Sequence, residues 1–199
     1  MRRLLLSVLC VLAATAVLMA ATQDRLPTGD GVTTAWESNG ANPNRWEDVD
    51  DTIGAPDDAT TYLFENDGND SHLFTFTAFS ITSSSIASVT VFGRCQRTAA
   101  GDISFLPLIR VNGTTYFDSS HAATTSWADY TTAFTTNPDT AAAWTEADVE
   151  GTGANPLQQF GIAPSGFNAG EELQCTQTYL TVTYTAPSGV KQLTMIGVG

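Results

Sequence analysis

The stretch LIRVNGTTYF, Leu108 to Phe117, decides how this chain is read. Two alternating runs flank Asn112-Gly113, and an Asn-Gly pair in that setting is the strongest short-range hairpin signal, because both residues tolerate the positive φ angles of a tight I′ turn. Working outward, similar short runs recur, separated by turn-forming residues. They are Tyr62 to Glu65, Leu73 to Phe79, Ile86 to Arg97, Ile103 to Val111, Thr114 to Phe117, Trp127 to Phe134, Gln159 to Ile162 and Leu173 to Tyr184. In the last run Leu180, Val182 and Tyr184 share one face and Thr181 and Thr183 the other, as in a strand with one buried side. The pattern predicts an all-β fold, an antiparallel jelly-roll-like β-sandwich of about eight strands. Val89, Val91, Phe74, Phe76, Phe105, Leu106, Leu108, Tyr130 and Phe134 are its expected core, with the parity around Phe92 and Phe105 ambiguous.

One segment breaks the strand pattern. In NPDTAAAWTEADV, Asn137 to Val149, Pro138 drives Asn137 toward an extended backbone, and Asp139 and Thr140 favour a turn. Thr145 followed by Asp148 has the form of a capping box. One short helix should therefore start just after Trp144, with Trp144 as the apolar residue that holds it against the body of the fold.

Length and composition set the outer bounds. A chain of 199 residues suits one substantial domain with a true core. Its formal net charge of −13 and only eight Lys and Arg residues argue against a nucleic-acid partner, since phosphate binding needs clustered cations. Residues 1–21 have a basic start at Arg2 and Arg3 and then an uncharged, mostly apolar run. This reads as a signal peptide cleaved near Ala20 or Ala21, as a retained hydrophobic anchor, or as sequence upstream of a true start at Met19. Cleavage would leave no membrane attachment. Residues 22–46 read as an extended N-terminal arm rich in Gly, Asn, Thr and Pro, 47–186 as the sandwich, and 187–199 as a flexible tail.

Cysteine usage depends on the leader. Cys95 and Cys175 form an even pair that in an exported protein would close a loop of about 80 residues by a disulfide. In a reducing cytoplasm they would be two buried thiols. Glu65, Asp67 and Asp70, around a Gly-permitted turn, suggest a calcium loop, though one without the full spacing of the helix-loop-helix site; a solvated acidic loop is the alternative. Trp36, Trp46 and Trp127, with Tyr62, are candidates for a carbohydrate site if their rings are exposed. No catalytic constellation is visible. His72 and His121 have no metal spacing, and His72, in the strand-like SHLFTFT, reads as a wall residue.

The combination of IASVTVFGRCQRT (Ile86 to Thr98), LPLIRVNGTTYFDS, TTNPDTAAAWTEADVEG, LQQFGI and QCTQTYLTVTY, after an entry segment TTAWESNGANPNRWEDVDD, resembles a family of small jelly-roll-like structural proteins of tailed bacteriophages. The resemblance runs from Thr33 to Tyr184. It implies a virion-associated protein without enzymatic activity, a component of the head or tail surface; an exported relative would instead be a cell-surface or filament subunit. Partners would then be copies of the chain itself or other assembly proteins, and the location a virion surface or the cell exterior. The alternative function is a secreted carbohydrate-binding module, with or without calcium.

Overall fold

A computed structural model describes residues 19–186 apart from 41, 59, 83, 84, 100 and 169. The strands are β1 (Met19–Arg25), β2 (Pro27–Thr34), β3 (Glu37–Ser38), β4 (Leu63–Glu65), β5 (His72–Phe76), β6 (Ser85–Arg97), β7 (Ser104–Val111), β8 (Thr114–Phe117), β9 (His121–Ala122), β10 (Ala128–Phe134), β11 (Leu157–Ser165) and β12 (Leu173–Ala186). A single helical turn covers Arg45–Asp48, and one short helix, α1, covers Glu146–Val149. The strands form two antiparallel six-stranded sheets packed as a sandwich. The front sheet runs β10-β6-β12-β4-β3, with β1 also on β12; the back sheet runs β2-β5-β11-β7-β8, with β9 on β7. From β4 to β7 the chain changes sheet at every strand, and it does so again from β10 to β12, in the jelly-roll manner.

All eight runs picked out by alternation lie on strands. The four strands outside them, β1, β2, β3 and β9, raise the number among the described residues to twelve. Three of these lie in the segment expected to be an extended arm. That expectation is corrected: β1 pairs with β12 from Met19↔Ala186 to Arg25↔Leu180, and β2 pairs with β5. Residues of β1 are at most half-buried, so the backbone ladder holds them without an apolar face for alternation to reveal. Of the leader, residues 1–18 lie outside the described residues, and Met19 to Ala21 open β1. The tail 187–199 also lies outside them.

The core between the sheets contains Val89, Val91, Phe74, Phe105, Phe134, Leu180 and Val182, with Phe76, Tyr130 and Tyr184 packed against it. Leu106 and Leu108, expected in this core, instead join Leu73 and Ala163 in a separate cluster on the outer side of the back sheet. The face of β7 that enters the sandwich carries Phe105, Ile109 and Val111, with Ile103 just before the strand on the same parity, so parity, not hydrophobicity, decides which apolar residues meet. Gly93 makes room for one of them: a Cβ there would lie 2.4 Å from the tip of the Phe105 ring.

The hairpin turn has Asn112 at φ 48° and Gly113 at φ 81°, the I′ arrangement. It is tied to the Asn137 turn, since Tyr116 Oη donates to Asp139 Oδ1 (2.7 Å) and Asn112 Nδ2 donates to Asp139 Oδ2 (3.1 Å). Thr145 caps α1: its Oγ1 accepts the Asp148 N–H, and the Asp148 carboxylate accepts the Thr145 N–H, both at 3.2 Å. Trp144, 3 % exposed, buries its indole in the main core and donates Nε1–H to the Phe134 carbonyl at 2.9 Å. Trp144→Ala is therefore expected to lower the unfolding free energy by about 3–5 kcal/mol. Urea denaturation checks this, and an unchanged midpoint would contradict the packing described.

Candidate functional site

The outer side of the front sheet gathers the groups with binding chemistry. On β6 the residues facing away from the core are Thr90, Phe92, Arg94 and Gln96, alternating with buried Val89, Val91, Gly93 and Cys95. Strand β12 supplies their partners: Tyr179 opposite Phe92, Gln177 opposite Arg94 and Gln174 opposite Gln96. Strand β10 adds Asp129, also opposite Arg94.

A bulge makes this face possible. The pairing of β12 with β6 shifts between Cys175 and Gln177, leaving Thr176 as the extra residue. Strict alternation would send Gln177 inward with Cys175; the bulge turns it outward beside Arg94. Thr176 itself donates to the Thr61 carbonyl at 2.9 Å and to Asp57 Oδ1 at 3.2 Å. Gln177 Nε2 donates to the carbonyls of Asp51 (2.8 Å) and Thr52 (3.0 Å), which pins the loop that walls the site.

The result is an open hollow of about 340 Å³ with Phe92, Tyr179, Arg94, Asp129 and Gln177 on its floor and Ile53, Gly54 and Pro56 on its wall. The Phe92 and Tyr179 rings stack at 4.3 Å between centroids and 21° between planes, and Ile53 is exposed. Arg94 grips Asp58 with two prongs, Nε to Oδ1 at 2.5 Å and Nη2 to Oδ2 at 2.8 Å, and reaches Asp129 Oδ1 with Nη1 at 2.8 Å. These hydrogen bonds, Asp58 first and Asp129 second, hold the guanidinium pKa above its already high ordinary value. Burial, followed by the carboxylates of Asp24 and Asp129, pushes the Tyr179 phenol up.

A second aromatic group lies further along the same side. Tyr62 packs against Trp127 at 6.1 Å and against Phe64 at 6.3 Å, and all three rings are half-buried. Phe64 pairs with Gln174, which pairs with Gln96. Phe92 and Gln96 are four residues apart on one strand, about 13 Å, so the two aromatic groups flank the Arg94 ion-pair cluster.

The tryptophans proposed from sequence therefore separate. Trp127 belongs to this side. Trp36 does not: it is fully buried in the main core and donates Nε1–H to the Asp70 carbonyl at 2.8 Å, so it presents no face to a ligand. Trp46 packs partly buried against that core. Phe92, Tyr179, Arg94 and Gln177 were not singled out by sequence. Phe92 sat at an ambiguous parity, and only the bulge reveals Gln177.

Glu65, Asp67 and Asp70, the candidate calcium residues, lie at and after the end of β4. Glu65 is 3 % exposed and its Oε1 accepts the N–H groups of Asp67 (3.1 Å) and Gly68 (2.9 Å), closing the turn after β4. Asp67 and Asp70 are exposed, and burial, followed by a hydrogen bond with the Asp67 carboxyl, raises the Glu65 pKa. Among the described residues no group of three His, Cys, Asp or Glu side chains is placed to hold a metal ion. Cys95 and Cys175 are joined by a disulfide between paired positions of β6 and β12. Among the described residues no helix is long and apolar enough to cross a membrane.

His72 lies fully buried, stacked on Phe74 at 4.7 Å, with Nε2 3.3 Å from Asp30 Oδ1. Burial lowers its pKa to about 4, against the opposing pull of Asp30. The folded chain thus keeps it neutral at a pH where the unfolded chain, with a pKa near 6.5, takes up a proton. Its contribution is complete above about pH 6.5 and is lost as pH falls toward 4, by up to about 3 kcal/mol. His72→Gln should flatten that part of the stability-pH curve, measured by denaturant unfolding; an unchanged slope between those pH values would refute the assignment.

No protein-family model and no curated protein matches the chain. Among solved structures it is similar to CBM29_1, a family 29 carbohydrate-binding module from Piromyces equi, with a TM-score of 0.39 and 9 % identity over 81 % of this chain and 90 % of that one. It is also similar to the CBM22-1 xylan-binding domain of Paenibacillus barcinonensis Xyn10C, with a TM-score of 0.37 and 11 % identity over 85 % and 97 %. A third is the N-terminal cellulose-binding domain of Cellulomonas fimi β-1,4-glucanase C, with a TM-score of 0.34 and 16 % identity over 76 % and 86 %. At these TM-scores the likenesses carry no function to this chain.

Proposed function

We propose that this protein is a non-catalytic carbohydrate-binding β-sandwich that lays a polysaccharide across the outer side of its front sheet. The observation that carries the reading is the Phe92–Tyr179 stack on the floor of an open hollow that Gln177, Arg94 and Asp129 also line. A sugar ring has an apolar C–H face and a polar rim of hydroxyls. Aromatic faces suit the first, and amide, guanidinium and carboxylate groups suit the second. The Trp127–Tyr62–Phe64 group extends the same chemistry along the sheet. The disulfide suits an oxidising compartment, where an exported polysaccharide binder would work.

A second reading, a self-assembling structural subunit such as a phage surface component, draws on a different part of the molecule. Among the described residues strand β8 pairs with β7 alone, and Phe117 on it is 62 % exposed, so an edge is open to strand addition. Sedimentation at rising concentration tests it: association that Phe117→Ala abolishes supports it, and a strict monomer counts against it.

For the main proposal, Tyr179→Ala and Phe92→Ala should each weaken retention in affinity electrophoresis against a polysaccharide panel by at least about tenfold. Phe117→Ala, on the other sheet, should not. Retention by the Tyr179 and Phe92 variants equal to that of the unmodified protein would sink the proposal.

A further inference from the structure

Resting on the saccharide reading of this face, we infer that Asp58 and Asp129 act as specificity determinants that make the hollow take uncharged saccharides and reject carboxylate-bearing ones. Arg94 is the one cation lining the hollow among the described residues, and a free guanidinium there would be a natural fork for a carboxylate. It is not free. Asp58 occupies Nε and Nη2 in the two-pronged geometry that a ligand carboxylate would use, and Asp129 takes Nη1.

The pairing also reverses the sign of the local field. One guanidinium between two carboxylates leaves the trio negative. Other acidic groups lie close by on the packed elements: Asp24 on β1, which accepts from Thr181 Oγ1 at 2.7 Å and acts with Asp129 on Tyr179, and Asp51 at the base of the wall loop, within electrostatic reach of Asp57 and Asp58. Burial, ahead of its acidic neighbours, raises the pKa of Asp51. An arriving carboxylate would meet like charge within a Debye length of several groups, about 8–10 Å. A neutral sugar loses nothing by this, because ion-paired carboxylates still accept from hydroxyls.

The backbone at Asp58 fits a held position. Its φ is 52°, in the left-handed region that a non-glycine residue seldom adopts. The two-pronged bond to Arg94 fixes the Asp58 carboxylate beside the hollow, where Asp129, with a side chain 59 % exposed, can meet ligand directly.

The test compares matched polymers in affinity electrophoresis: hydroxyethyl cellulose against carboxymethyl cellulose, and laminarin against carboxymethyl laminarin. The unmodified protein should favour the neutral member of a pair by roughly fivefold or more. Asp129→Asn and Asp58→Asn should each narrow or invert that ratio, the gain for the carboxylated polymer should fade at high salt, and adding Arg94→Gln to Asp129→Asn should remove it. Asp129 is exposed enough that its variant keeps the test valid if Asp58→Asn fails to fold. Equal retention of both members of a pair by the unmodified protein, or a ratio that folded variants leave unmoved, overturns this inference and leaves the saccharide reading standing. Retention of neither member of either pair overturns both.

Discussion

The pairing of β6 with β12 is the constraint on which the rest of the molecule depends. These are the two longest strands, and their register runs from Leu173↔Arg97 to Thr185↔Ser85. Three different elements, β4, the Asp50 bridge and β1, share the other edge of β12, and β10 adds to β6. A slip of one residue would reverse every side chain on the strand. Two things prevent it. Val89 and Val91 must meet Val182 and Leu180 inside the sandwich, and the Cys95–Cys175 bond locks one pair of facing residues.

The same register builds the candidate site. It stacks Phe92 on Tyr179 and sets Gln177 beside Arg94, while the bulge at Thr176 lets a single strand change which face its residues serve. The two faces are thus separated along one strand: odd-numbered residues of β6 from Val89 to Cys95 face the core, and of the even-numbered residues between them Phe92 and Arg94 line the hollow. Arg94 has a double part in this arrangement, since its bonds to Asp58 and Asp129 join β6 to the loop on one side and to β10 on the other.

Much of this architecture was legible in the sequence because it rests on local rules. Asn112-Gly113 reads as a turn from its φ preferences alone, and Thr145 with Asp148 reads as a helix start from hydrogen-bonding chemistry. Alternation marked seven strands that carry buried residues and, across the Asn-Gly turn, the half-exposed β8. It could not mark β1 and β2, whose place is set by backbone pairing, and it put Leu106 and Leu108 on the wrong side because LPLI offers apolar residues at both parities. The site was less legible. Tryptophans drew attention by size, yet Trp36 serves the core, whereas Phe92 and Tyr179 become a platform only when residues 87 positions apart are brought into register.

The most direct measurement of the central claim is chemical-shift mapping by NMR during titration with a soluble neutral oligosaccharide that the protein retains in polymeric form. Progressive, saturable shifts are expected at Phe92, Arg94, Gln177, Tyr179 and the loop around Ile53, with smaller ones reaching Trp127. Shifts centred instead on Phe117 and the outer side of the back sheet, or none at saturating ligand, would contradict it.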